Sequence, residues 1–193
     1  MTTVSIPNWN AQGVIPPLHS DDPTSTKRSP YRVSLTDLVL RFGTTARRKT
    51  ILNGLLRFRS ALHNAGFTNG FQWVDGSFLE HIEQIEHRDP GDIDVVTFYY
   101  LPEGQTQQSL FQANRALMDP RQNKASFHVD GYFVHLLPAV PETLVENTTY
   151  WYSVWSHRRD SLWKGYLQID LAPTEDTAVM ARLDIMRQEN NES

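Results

Sequence analysis

Hydrophobic and polar residues alternate along this chain with a period that changes several times, and each change marks an element. Up to about Arg32 there is no period. Pro, Ser, Thr and Asp dominate, with Pro16-Pro17 and Ser20-Asp21-Asp22-Pro23, so residues 1–32 are expected as an extended surface segment anchored by Ile6, Trp9, Val14, Ile15 and Leu18. Ser34 then caps a short helix carrying Leu35, Leu38 and Val39, which Gly43 ends. Thr44 or Thr45 opens a longer helix, Ala46 to about Ala65, whose Ile51, Leu52, Leu55, Leu56, Phe58 and Leu62 fall largely at three- and four-residue steps before Gly66 stops it. Arg47, Arg48, Lys49, Arg57 and Arg59 on that helix read as a solvated face, or as a basic edge near a phosphate site.

Strand-like patterning begins at Phe71 and runs to Asp75. Phe78, Ile82 and Ile85 return to helical spacing, which puts Gly76-Ser77 at a strand-to-helix junction. Arg88-Asp89-Pro90-Gly91 is a strong turn, and Ile93 to Tyr100 is a second strand. Thr106 to Met118 predicts a helix broken by Asp119-Pro120, and Phe127 to Leu137 a further strand. From Pro141, Leu144, Thr148, Trp151 and Trp155 share a helical face, although the dense aromatics also fit a strand. Ser156 to Lys164 is a polar, basic loop, Gly165 to Leu171 a last strand, and residues 183–193 a polar tail expected to fray. The order predicts one α/β (α+β) domain over residues 33–182, a mixed sheet flanked by helices.

The 193 residues suffice for one domain, and 39% hydrophobic with 21% charged residues is the balance of a globular chain. A net charge of -4 excludes a global basic field for long nucleic acid, leaving small ligands or a local RNA contact. The absence of cysteine excludes disulfides, thiolate–metal sites and cysteine nucleophiles. No apolar run reaches membrane-spanning length and the N-terminus lacks a basic-then-apolar export signal, so a cytoplasmic protein without membrane contact is expected.

Candidate chemistry centres on two stretches. Asp92 and Asp94, one residue apart beside Ile93, Val95 and Val96, would project from one face of a strand. Aspartates are poor strand formers, and two adjacent carboxylates repel unless something positive lies between them, a role suited to a hard cation with oxygen ligands such as Mg2+. The bland alternative is that Asp92 caps the Pro90-Gly91 turn while Asp94 pairs with an arginine. In Gly76-Ser77, glycine permits close backbone approach to an oxyanion, serine adds a hydroxyl, and a helix opening at Phe78 would add unpaired amides. Asp130, in the apolar run Phe127 to Val134, would add a third carboxylate if its strand lies beside the first, although Asp130-Gly131 also suits a bulge or hairpin. The seven histidines show no metal-ligand spacing, and His81 with Glu80, Glu83 and Glu86 reads as a solvated helix face. Trp151, Tyr152, Trp155 and Trp163 read as core or interface.

Gly76-Ser77, Asp92-Ile93-Asp94-Val95 and Val129-Asp130 together resemble the signature of the polymerase-β-type nucleotidyltransferase superfamily: a Gly-Ser turn opening a helix, an Asp-x-Asp strand, then a single acid on a later strand. The resemblance spans about Phe71 to Val134. The chain is also similar to short bacterial members of that superfamily with a Pro-rich lead-in and an Arg-Phe-Gly element, here Arg41-Phe42-Gly43. The resemblance implies two Mg2+ ions held by Asp92, Asp94 and Asp130, an NTP whose outer phosphates lie on Gly76 and Ser77, and Asp130 helping to deprotonate an acceptor hydroxyl as pyrophosphate leaves. It also implies a cation that neutralises the triphosphate: Arg158, Arg159 or Lys164 in the basic loop, or Arg47 and Arg48.

The Ser77-to-Asp92 spacing is longer than that superfamily's usual one, and no obvious acceptor-binding domain follows the core. Two other readings therefore stand beside the enzyme. One is a non-catalytic nucleotide- or partner-binding module, for example the antitoxin-like half of a two-gene bacterial pair. The other is a metal-dependent phosphohydrolase using the same acids on water.

Overall fold

Ser34 and Thr45 start the first two helices. The Ser34 hydroxyl accepts the Asp37 amide at 2.9 Å and opens α1 (Leu35–Phe42), and Thr45 accepts the Arg48 amide at 3.2 Å and opens α2 (Ala46–Asn64). These elements belong to a computed structural model that describes residues 4–18 and 22–189. The strands are β1 (Tyr31–Arg32), β2 (Gly70–Asp75), β3 (Ile93–Tyr99), β4 (Val129–His135) and β5 (Leu167–Asp170). They form one sheet in the order β1-β5-β2-β3-β4. β2 is antiparallel to both neighbours, whereas β3–β4 and β1–β5 are parallel. The result is one α+β domain on a mixed sheet, its strands joined by α3 (Ile82–Ile85), α4 (Gln107–Ala113), α5 (Pro120–Phe127) and α6 (Pro141–Trp155) and followed by α7 (Asp176–Glu189).

The sheet has two different faces. On one, α2 packs through Phe58, whose ring meets Phe127 at 5.8 Å and Phe133 at 6.4 Å, while Phe67 meets Tyr99 at 4.9 Å. Gly54 permits that approach: a β-carbon there would lie 1.8 Å from the Phe127 carbonyl oxygen. On the other face, Trp73, Phe98 and Tyr132 build an aromatic floor that α6 covers in part, with Trp151 at 4.6 Å from Tyr132 and Trp155 at 5.9 Å from Tyr166.

Several elements differ from the sequence-based expectation. The helix expected over Thr106 to Met118 ends at Ala113. Asp119-Pro120 does not simply break structure but starts α5. The Asp119 carboxylate accepts the Arg121 amide at 2.9 Å, and proline in the first turn has no amide to leave unpaired. His128, at φ 57°, ends α5, so the next strand begins at Val129 rather than Phe127. The turn after Ser77 is a 3₁₀ segment, Ser77–Leu79, and not the opening of a long helix. Beyond Arg182 the chain is no frayed tail: α7 continues to Glu189, and its Val179 and Leu183 are buried. Ser20 and Asp21 of the N-terminal segment, and residues 190–193, lie outside the described residues. No described helix is long and apolar enough to cross a membrane.

Candidate functional site

Strand register builds the site. Asp75 is directly opposite Asp94 on the β2–β3 ladder, and Asp94 is opposite Asp130 on the β3–β4 ladder. Residues opposite one another project to the same face, with strands about 4.8 Å apart, so three aspartates form a row across three strands. Asp92 lies just before β3 rather than in it, close enough for its charge to act on Asp94. The next row inward is Trp73, Val96 and Tyr132, apolar and mostly buried. The acids thus stand at the edge of an aromatic surface.

The electrostatics of the row are costly. Burial pushes the Asp94 carboxyl up to about 7, and the neighbouring charges of Asp75, Asp92 and Asp130 push in the same direction. Burial raises Asp75 to about 6 although Lys164 Nζ touches both its oxygens, at 2.8 and 2.9 Å. Burial opposes the charge of Lys164 itself, but Asp75 and Glu80, whose Oε1 is 3.4 Å away, outweigh it and hold the ammonium above its usual pKa. Tyr132, hydrogen-bonded to Asp130, is pushed up to about 12 by burial and by that carboxylate.

Gly76 is fixed by this crowding. It sits at φ 89°, and a β-carbon there would come within 2.0 Å of Asp94 Oδ2. Its amide hydrogen-bonds the Asp75 carboxylate, so it is already engaged within the chain. The following 3₁₀ turn is clamped from α2: Arg48, fully buried, donates to the carbonyls of Phe78 at 2.6 Å and Glu80 at 2.7 Å and pairs with Glu83. Arg47 donates to the carbonyls of Pro90 and Gly91, fixing the turn that leads into Asp92.

These contacts revise the sequence reading of the charges. Arg48, Lys49 and Arg59 are buried rather than solvated, because each meets backbone carbonyls or carboxylates that need a donor. Glu80 is buried against Lys164 and Arg158, Glu83 is paired with Arg48, and His81 stacks on Trp9 at 4.3 Å, so of the expected solvated face Glu86 alone is exposed and the other three are internal ties. Lys164 is withdrawn into the core as the partner of Asp75. It is placed there by a loop that closes on itself through a His157–Trp163 bridge and a Lys164 amide bond to the Ser156 carbonyl at 2.8 Å. Arg158 remains at the surface of that loop, 3.1 Å from Asp160 and 3.7 Å from Glu80. Ser77 is partly exposed beside the acid row.

The sequence reading assigned no role to Asp75, the acid that completes the row. The signal was present, an ionisable residue at the end of an apolar strand directly before Gly76, but its partner Lys164 lies 89 residues away.

Among the described residues, no group of three or more His, Asp or Glu side chains is placed to hold a metal ion as the side chains stand. The donor set nevertheless suits a hard divalent cation, being made of carboxylate oxygens only. Asp92 Oδ2 is buried without a well-formed hydrogen bond, its polar neighbour being Lys124 Nζ of α5, 2.5 Å away as an ion pair. The missing β-carbon of Gly76 makes the room that Asp94 Oδ2 occupies. A cleft of about 490 Å3 between α2 and α5, lined by Ala61, Asn64, Asn114, Gln122 and Ser126, includes none of these acids.

Fold and site together define an α+β protein with an acid row at one end of a mixed sheet. Residues 7–170 match the model of DUF6932, a family of unknown function, and the chain belongs to that family. The match takes in every residue of the site and stops before α7. No curated protein and no solved structure matches the chain.

Proposed function

We propose that this protein is a Mg2+-dependent nucleotidyltransferase that moves an NMP unit from an NTP to a hydroxyl acceptor and releases pyrophosphate, in the cytoplasm. One observation carries the reading: Asp94 and Asp130 are register partners on adjacent parallel strands, with Asp92 just before β3 and the Gly76-Ser77 turn against Asp94. Burial and the charges of Asp75, Asp92 and Asp130 disfavour the Asp94 carboxylate, a repulsion that a positive ligand relieves.

In this reading Asp92, Asp94 and Asp130 hold the cations, which when bound neutralise the phosphates and the developing negative charge. Asp75 stays with Lys164 and acts behind Asp94, fixing it from the neighbouring strand. Asp130 lies on β4, at the edge of the sheet and within reach of an incoming acceptor. The acceptor oxygen attacks the α-phosphorus, its proton passes to Asp130, the α–β phosphoanhydride bond breaks and pyrophosphate departs. Ser77 is the group left to meet the outer phosphates, since the Gly76 amide and the Lys164 ammonium are committed to Asp75; Arg158 would join it by exchanging its ion pairs with Glu80, Glu86 and Asp160 for phosphate.

The test is transfer of label from each NTP, labelled at the α-phosphate, with Mg2+ and cell extract as the source of acceptors. Wild type should transfer label and the Asp92→Ala, Asp94→Ala double variant should not. Equal labelling by the two proteins would end the proposal. A second reading, a non-catalytic nucleotide- or partner-binding module, is favoured by Lys124 on Asp92 and Lys164 on Asp75, which pair acids from within the chain. It expects no transfer by a folded wild type that still binds NTP, and co-purification with a partner encoded nearby that survives loss of the acids.

A further inference from the structure

Lys124 stands apart from every other cation around the site. Lys164, Arg47 and Arg48 are held by two or more contacts each and build the turns around the acids. Lys124 makes one ion pair, 2.5 Å from Asp92 Oδ2, and 59% of its side chain is exposed against 18% for Asp92. Its helix is firmly seated: Asn123 next to it is buried, donates to the Leu117 carbonyl at 2.8 Å and faces Gly131 of β4. The stem of Lys124 therefore starts from a fixed point, while its ammonium can leave Asp92 for water at little cost. Asp92 has no such freedom. Its carboxylate is only 18% exposed and the Lys124 ammonium is the cation that meets it, so a cation that arrives from solvent takes the place of Lys124 on Oδ2.

We infer that Lys124 is the resident counter-cation of the acid row: it neutralises Asp92 while the site is empty and is displaced when a divalent cation binds. The inference rests on reading the acid row as a cation site. The ammonium and the divalent cation compete for one oxygen within one molecule, so Lys124 weakens divalent binding in proportion to its own hold on Asp92. It also keeps the metal-free protein from carrying an unpaired, half-buried carboxylate next to Asp94. Once displaced, the ammonium stays tethered at the mouth of the site, where an anionic substrate arrives.

Titration calorimetry with Mg2+ and Mn2+ on the full chain, together with thermal unfolding with and without cation, tests this. Lys124→Gln should bind the cation about three- to ten-fold more tightly than wild type, the range expected when one partly exposed ion pair and its charge are removed. It should also melt lower than wild type without cation and recover the difference at saturating Mn2+. Lys124→Arg, which keeps the charge and the reach, should behave as wild type. Arg121→Gln removes a charge three residues earlier on α5, where no ion pair to Asp92 forms, and should leave affinity unchanged. If Lys124→Gln binds with wild-type affinity, or Arg121→Gln tightens binding equally, Lys124 is not the competitor and the inference fails while the cation site stands. If no folded variant and no wild-type protein takes up Mg2+ or Mn2+, the cation site itself fails and the inference with it.

Discussion

Asp94 is the acid on which the charges of the row converge. Its carboxyl lies near 7 in the folded chain against an ordinary value of 3.8, because burial and three neighbouring aspartates disfavour the charge. The folded state therefore holds this proton more tightly than the unfolded chain does. The stability linked to it is complete below about pH 4 and is lost as the pH rises through about 7, and Asp75, raised to about 6, works in the same direction. Thermal melts of the metal-free protein should accordingly fall between pH 5 and pH 8. Asp94→Asn should raise the melting temperature at pH 8, by the equivalent of about 1–3 kcal/mol, and flatten the pH dependence. An unchanged slope in Asp94→Asn would assign the pH effect to other groups. At Gly76 the same crowding acts through space. Gly76→Ala forces a β-carbon to 2.0 Å from Asp94 Oδ2 at a φ of 89°, and should cost roughly 2 kcal/mol or more in urea unfolding while abolishing cation binding.

At the scale of elements, α2 is the part that organises the site. Arg47 and Arg48 in its first turn reach the two loops that flank the acids, and Arg59, five residues before its end, reaches β2, the end of β5 and the start of α7, donating to Gln72, to the Asp170 carbonyl and to both oxygens of Asp176. Arg59→Ala leaves Asp176 without the guanidinium, with only His63 at 4.0 Å, and the Asp170 carbonyl short of a donor, so a loss of about 3–5 kcal/mol in denaturant unfolding is expected. A loss below about 1 kcal/mol would show that water replaces the guanidinium. The helix itself was legible in the sequence, because Thr45 caps it and its apolar residues keep helical spacing. The burial of Arg48, Lys49 and Arg59 was not, since charge at i, i+1 and i+11 carries no sign of which carbonyls lie opposite. Asp92, Asp94 and Asp130 were legible as acids out of place in apolar strands. Asp75 was not, because its meaning depends on strand pairing and on Lys164, both set by tertiary structure. The Asp119-Pro120 start of α5 was misread for a local reason: proline punctuates a helix from either end, and the capping aspartate decides which.

Across the whole molecule, the N-terminal segment ties the site to the rest of the fold. Residues with no regular structure of their own cross to the far side of the 3₁₀ turn, where Trp9 Nε1 donates to the Leu79 carbonyl at 2.6 Å and the indole stacks on His81. Arg41 of α1 lies 4.1 Å over the same indole, and the Gly13 carbonyl accepts the His81 amide at 2.8 Å. Arg48 holds this turn from inside and Trp9 holds it from outside, so Ser77 is fixed by two elements distant in sequence. Removing the indole frees the outer hold and uncovers Arg41, while the acids and the hydrogen bonds of Arg48 to the turn remain. Trp9→Ala should therefore cost about 1–2 kcal/mol of global stability, as expected for a partly buried aromatic, but loosen the Ser77–Leu79 turn by more than that. Hydrogen exchange separates the two effects: the Leu79, Glu80 and His81 amides should lose protection beyond the global change, while β3 and β4 follow the global change alone. Under the proposed reaction the same variant should bind NTP more weakly with cation affinity unchanged, since the turn meets phosphate and the acid row meets the cation. Equal loss of protection in the turn and in β3 would mean that Trp9 serves only the core, and the site would then owe its shape to α2 alone.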